Sequence, residues 1–222
     1  MSFLFKIRKR NKQKTFPLEK IKNIILKEGF RSVLLDGIRS FTVENLASRL
    51  SMSKKTIYQY FPKKELLIKK IIDFRMKKLT NDFDEIINQE SDSIIQFIKI
   101  REHNIKFANK LNLQKLTYLK SRYPDIWEII EQYRLDRKNI YNKVFTLAKS
   151  QGYLREDLNP AVCAALYINI FNSIFQPEFM NHNNLSINLT IAHLKEILSN
   201  GFFNEIGIQK MNEYADNNPI QK

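Results

Sequence analysis

The 222-residue chain reads as an all-α protein, and three observations carry that expectation. Apolar residues recur at helical spacing through most of its length. Only 5 Gly and 6 Pro are present, too little turn chemistry for a sandwich or barrel of many short strands. The apolar fraction of 43% and the charged fraction of 27% are those of an ordinary globular chain, neither disordered nor membrane-embedded. The glycines are spaced neither as GxGxxG nor as GxxxxGK, which argues against a nucleotide-binding enzyme. Cys163 stands alone, so it permits no internal disulfide and no Cys-rich zinc site, and it fits a reducing cytoplasm.

Charge is segregated along the chain. Residues 1–80 hold 21 Lys/Arg against 6 Asp/Glu, a net +15, whereas residues 81–222 hold 16 against 17, a net −1. A basic segment of this kind is the electrostatic footprint of a polyanion binder, because neutralising phosphates releases their counterions. The opening MSFLFKIRKRNKQK is too short in its apolar part for an export signal or a spanning helix. Its Lys6, Arg8, Lys9, Arg10, Lys12 and Lys14 form a basic arm over residues 1–17 that suits phosphates or a minor groove.

The elements follow in order. A first helix is expected from about Leu18 to Leu35, with Ile21, Ile24, Ile25 and Leu34 on its apolar side and Gly29 as a weak point. Thr42 can cap a short helix whose Val43, Leu46, Ala47 and Leu50 make an inward stripe of two turns. Ser51 and Met52 make a tight connection, and Ser53 caps a second short helix. There Ile57 and either Tyr60 or Phe61 pack inward, while Lys54, Lys55, Thr56, Tyr58 and Gln59 stay outward. Pro62 stops that helix, and Lys63 to Glu65 begin the next. Two short helices joined by a three- or four-residue turn form a helix-turn-helix, whose second helix can enter the major groove. Lysines neutralise phosphate, Thr and Tyr hydroxyls bond phosphate oxygens, and Gln can pair with an adenine edge.

Beyond that motif long helices are expected: about Leu66 to Asn88, Ile94 to Ala108, Leu113 to Lys120, one long segment from Pro124 to Ser150, Ala161 to Phe175 ended by Pro177, and Ser186 to Ser199 closed by Asn200-Gly201. The Asn-rich tail from residue 212 is expected to fray. The helix 161–175 is apolar nearly all round and must be covered on more than one side.

The stretch GIRSFTVENLASRLSMSKKTIYQYFPKKELL, residues 37–67, resembles the DNA-binding motif of TetR-family transcriptional regulators, TetR/AcrR-like proteins. In that family Gly, Thr-Val and Leu/Ile-Ala precede Ser-Lys-x-Thr-x-Tyr-x-x-Phe-x-x-Lys-Glu-x-Leu. The resemblance implies that Lys54, Lys55, Thr56, Tyr58, Gln59 and Tyr60 belong to the DNA-reading surface, that Thr42 starts the preceding helix, and that Lys64 binds phosphate. Three departures stand out: Ser51 holds a turn position usually given to Gly, Lys63 replaces the usual capping residue, and Gly29 and Ser32 stand where Ala and Leu are usual. The echo of EGFRS (28–32) in DGIRS (36–40) leaves two registers, of which spacing to Thr42 favours Gly37.

What the resemblance implies for the whole chain is an N-terminal three-helix helix-turn-helix domain over residues 18–65, then a helical ligand-binding and dimerisation domain over 66–211 and the tail 212–222. It implies a double-stranded DNA operator, a homodimer through the helices near 160–176 and 186–200, and a small-molecule inducer in a pocket of the later helices. His103, Phe107, Tyr118, Trp127, Tyr141, Phe145 and Phe171 are the candidates to line it, although aromatic residues at this spacing are also what any bundle packs with. His182 and His193 lack a partner at metal spacing, and no GxSxG, HExxH or Cys-His constellation is present. Neither catalysis nor a cofactor is expected. The expectation is a cytoplasmic, ligand-released repressor, with an architectural or division-control DNA-binding protein of the same fold as the alternative.

Overall fold

A computed structural model describes residues 18–108 and 112–218; the expected basic arm, residues 1–17, lies outside them. Among the described residues every regular element is helical, and the β-bridge between Leu154 and Phe203 is isolated. Two compact units meet in sequence at Met76 and Lys77, later than the expected boundary after residue 65.

The first unit holds α1 (Leu18–Asp36), α2 (Val43–Leu50), α3 (Lys54–Tyr60) and the opening of α4 (Lys64–Gln89). The boundary shifts because α4 contributes Leu67, Ile68, Ile71 and Ile72 to the same core as Ile25, Phe41, Leu46 and Ile57, all of them buried. Gly37 takes φ +81° and its N–H bonds the Val33 carbonyl at 3.0 Å, which ends α1 and supports the Gly37 register. Gly29 lies inside α1 and is buried; a Cβ there would stand 2.5 Å from Ile71 Cδ1. The residue that weakens the helix therefore lets α1 and α4 approach closely. Beside it Ser32 is buried at 2% exposure, its hydroxyl without a hydrogen-bond partner among the described residues.

The second unit continues α4 and adds α5 (Ser93–Ala108), α6 (Leu113–Arg122), α7 (Pro124–Asp136), α8 (Lys138–Ser150), α9 (Pro160–Ile174), α10 (Pro177–His182), α11 (Ile187–Phe202) and α12 (Glu205–Asn217). Starts follow side-chain caps: Asp92 accepts from the Ile94 and Ile95 amides at 2.9 and 3.2 Å, Asn112 from Lys115 at 3.1 Å, and Asn159 from Ala161 at 2.9 Å. Phe97, Phe145, Tyr167, Phe202 and Phe203 interlock as the centre, with Phe97 and Phe203 at 5.0 Å and Phe145 and Phe202 at 5.1 Å between ring centroids.

Four expectations are corrected. The segment 124–150 is two helices that break at Arg137, although no Pro or Gly stands near; the break coincides with a buried Arg137 side chain, described below. Pro177 ends one helix and also begins α10, where its missing N–H is no loss. Asn200-Gly201 does not close α11, which runs to Phe202, because Phe202 and Phe203 enter the core and hold the last turn in place. The tail does not fray at 212: Asn204 caps α12 through the Gly207 amide at 3.0 Å, and Met211 and Tyr214 pack on the core. Gly207 permits that docking, since a Cβ would meet the Tyr153 carbonyl oxygen at 2.9 Å. No helix among the described residues is long and apolar enough to cross a membrane.

Candidate nucleic-acid interface

Thr42 sits in extended backbone (φ −128°, ψ 150°) and accepts from the Asn45 amide at 3.1 Å, capping α2 as its sequence suggests. Val43, Leu46, Ala47 and Leu50 are all buried, which seats α2 on the core. The turn then reverses at Ser51, whose φ of +52° is left-handed. Its N–H donates to the Ser48 carbonyl at 3.0 Å and the Met52 N–H to Ala47 at 2.9 Å, which satisfies two of the last carbonyls of α2. That conformation explains why Gly is usual here; this chain holds it with a serine.

Ser53 opens α3 by accepting from the Thr56 amide at 3.0 Å, and the two hydroxyls lie 2.8 Å apart. Ile57 is fully buried, and Phe61 rather than Tyr60 completes the anchor, at 5% exposure against a half-buried Tyr60. With those two pinned, Lys54, Lys55, Tyr58 and Gln59 face outward, Tyr58 at 40% exposure, and Thr56 is half-buried beneath its cap bond. Lys54 donates to Glu44 Oε1 at 2.8 Å, a link across the turn. The Lys54 ammonium holds the Glu44 carboxyl below its ordinary range, and Glu44 in turn raises Lys54. Lys64 is half-buried in the first turn of α4 beside the exposed Lys63. A lysine at the positive end of a helix is electrostatically misplaced until an anion arrives. The arrangement presents two hydroxyls, an amide and several ammonium groups on one surface carried by a rigid core. Such a set can bind phosphates and read base edges.

Of the later-helix candidates, Tyr141, Phe145 and Phe171 each meet the Tyr167 ring, whereas His103 and Trp127 make other contacts. Phe145 is fully buried among Phe97, Tyr167, Phe202 and Phe203, as core. Phe171 is half-buried and stacks between Tyr167, at 4.8 Å, and Phe175, at 5.5 Å. Tyr118 is half-buried on α6, and Phe107 is half-buried near the end of α5. His103 Nε2 stands 3.2 Å from Asp82 Oδ2 and meets the Phe83 ring edge-on at 5.5 Å. Trp127 is buried and donates from Nε1 to Glu131 Oε1 at 2.7 Å. Tyr141 is buried against Tyr167, rings 4.3 Å apart, and its hydroxyl accepts from Asn104 Nδ2 at 2.9 Å. Burial raises both tyrosines, Tyr167 well above the ordinary phenol range. Asn104, Arg134, Arg137 and Tyr167 escaped sequence reasoning, because polar residues on a helical period read as a solvated face. Cys163 is buried and its thiol is pushed up by burial, as for a small core hydrophobe. No group of three potential metal ligands occurs among the described residues.

Residues 25–71 match the model of the bacterial regulatory proteins, tetR family. Over 178 residues the chain is 25% identical to YvaF, an uncharacterised HTH-type transcriptional regulator of Bacillus subtilis (strain 168), spanning 80% of this chain and 93% of that one. Among solved structures, a transcriptional regulator from Cytophaga hutchinsonii superposes with a TM-score of 0.61 at 15% identity, over 82% of this chain and 98% of the other. A TetR transcription regulator from Haloarcula marismortui gives 0.61 at 10% identity, over 84% and 100%. A regulator from Saccharomonospora viridis, solved in complex with choline, gives 0.58 at 14% identity, over 84% and 100%. These relatives are transcriptional regulators and not enzymes.

Proposed function

We propose that the chain is a transcriptional regulator of the tetR family that acts as a dimeric repressor, held on a two-fold operator by α2 and α3 and released by a small molecule. The observation that carries the reading is the outward face of α3, where Lys55, Tyr58 and Gln59 are exposed on a segment with a net +15 over residues 1–80. In this reading Lys64 and the arm 1–17 neutralise phosphates, Tyr58 and Thr56 orient the helix, and Lys55 and Gln59 meet base edges. Lys54 and Tyr60 flank that contact.

A single helix-turn-helix reads a short half-site, so a two-fold operator calls for two copies. Support for pairing comes from α9 and α11, where Val162 (54%), Leu166 (51%), Leu189 (58%) and Ile197 (65%) are left exposed. The helices near 160–176 and 186–200 thus retain apolar surface for a second copy to cover. Coupling to a ligand is supported by α4, one continuous helix that begins at Lys64 and reaches Asp82 and Phe83 among the later helices. The Saccharomonospora viridis neighbour and its choline illustrate that such a fold takes up small molecules. Its place of action in this reading is the cytoplasm, on the chromosome.

The test is a titration of the purified protein against duplexes tiled across the DNA upstream of its own coding region and a scrambled control, at two salt concentrations. A footprinted site of two-fold sequence, bound well above the control, is the expected result. Equal and steeply salt-dependent binding to every duplex, there and across a genome-wide map, would replace the repressor by an architectural binder.

A further inference from the structure

Two guanidinium groups in the second unit each hold a buried N–H group that has no acceptor among the described residues. Arg134 and Arg137 stand three residues apart, on one helical side at the junction of α7 and α8. Arg137 Nη1 donates to Asn104 Oδ1 at 3.1 Å and its guanidinium stands over the Phe83 ring at 5.8 Å, but its buried Nε has no acceptor. Arg134 stands over the Trp127 ring at 5.4 Å, and its buried Nη1 likewise has no acceptor. Neither makes an ion pair among the described residues, and the stretches outside them contain no Asp or Glu. The neighbouring acid, Glu131, is engaged through Oε1 by Trp127 Nε1 at 2.7 Å and Gln176 Nε2 at 2.8 Å.

Burying a charge without a counter-charge is among the costlier arrangements in a fold, and here two like charges stand together. Burial pushes the Arg134 guanidinium down to about 10 and Arg137 beside it pushes the same way, while the Glu131 carboxylate offsets this only in part. The Asn104 bond and the two ring contacts orient the guanidinium groups but bring no full negative charge to them. Both residues nevertheless keep part of their surface accessible. Their surroundings are aromatic: Phe83 lies under Arg137 and Trp127 under Arg134, and Tyr141 and Tyr167 act on Arg137. A planar guanidinium matches a carboxylate through two parallel hydrogen bonds, and the aromatic rings suit an apolar body.

We propose that Arg134 and Arg137 form the head of a binding site for a small organic acid, a carboxylate on an aliphatic or aromatic body, with Asn104 holding Arg137 in place. The proposal rests on the ligand-released reading above in one respect only, that this acid is the inducer. Sequence spacing pointed to the aromatic walls of such a site, whereas its charge is visible only once the arginines are seen to be buried.

The experiment compares octanoate, laurate, benzoate and phenylacetate with their own primary amides, on the purified full chain without DNA, by thermal melting and titration calorimetry. Inorganic phosphate at matched ionic strength controls for a general anion effect. At least one carboxylate is expected to raise the melting temperature where its amide and phosphate do not. Arg134→Met and Arg137→Gln are expected to weaken that binding about tenfold or more, while the ligand-free variants melt no lower than the parent. Carboxylates acting no better than amides would overturn the proposal, and that comparison needs no variant. Variants that melt lower yet bind undiminished would assign the arginines to structure alone. Operator release separates the two readings: a carboxylate that binds but leaves the operator occupied keeps the anion site and removes the inducer role, and release by a neutral compound alone does the reverse.

Discussion

Lys54 Nζ lies 2.8 Å from Glu44 Oε1, tying the start of α3 to the start of α2 across the outer surface of the helix-turn-helix. The pair is exposed on both sides, so its stabilising effect is slight, but its placement has a consequence for DNA. On the proposed reading surface a carboxylate would repel phosphate and occupy a lysine able to neutralise one. Glu44→Gln is expected to tighten binding to all duplexes alike and to steepen the salt dependence by about one counterion. A binding isotherm at four salt concentrations measures both, and weaker binding would show that Glu44 instead holds Lys54 in a productive position.

Ser51 carries a positive φ of 52° at the turn, a conformation that costs an L-residue roughly 1–2 kcal/mol relative to Gly. Ser51→Gly is expected to stabilise the protein by about 0.5–1 kcal/mol, the gain being trimmed by the greater freedom of Gly in the unfolded chain. Urea denaturation followed by circular dichroism reads the change, and a lower midpoint would contradict the strain.

The Ser32 hydroxyl is buried against the core of the first unit without a hydrogen-bond partner among the described residues. Ser32→Ala removes a desolvated polar group and is expected to add about 1 kcal/mol. The same denaturation series tests it; a loss of stability would mean that a bound water satisfies the hydroxyl.

Lys64 and Gln59 are assigned different tasks and separate in a binding assay. Lys64→Ala is expected to weaken every duplex and reduce the salt slope by about one, as loss of a phosphate contact does. Gln59→Ala is expected to relax preference at one or two base positions at a cost of about 1–3 kcal/mol on the best site. Exchanged behaviours would reverse the two roles.

Ala165 lies half-buried on α9 beside the exposed Val162 and Leu166. Ala165→Arg places a charge in the surface assigned to the second copy, and is expected to yield monomers that bind the operator weakly. Light scattering gives the mass directly, and an unchanged dimer would move the interface elsewhere.

Much of this molecule is written in local sequence. The caps at Thr42, Ser53, Asn159 and Ser186, the stop at Gly37 and the inward stripe Val43, Leu46, Ala47 and Leu50 all follow from neighbours within four residues, so spacing alone reveals them. The outward set on α3 follows from the same periodicity. What tertiary structure decided depends on partners far away in the chain. Phe202 and Phe203 extend α11 through a glycine, and Met211 and Tyr214 hold a helix in an Asn-rich tail, because burial on the core outweighs local propensity. Gly29 proved to be a point of close helix approach to Ile71, and of the two residues open as the second anchor of α3, Tyr60 and Phe61, the fold buries Phe61. The charges of Arg134 and Arg137 are plain in the sequence, but their meaning is not: a cation is unremarkable in water and consequential when desolvated beside another, and only the fold removes the water.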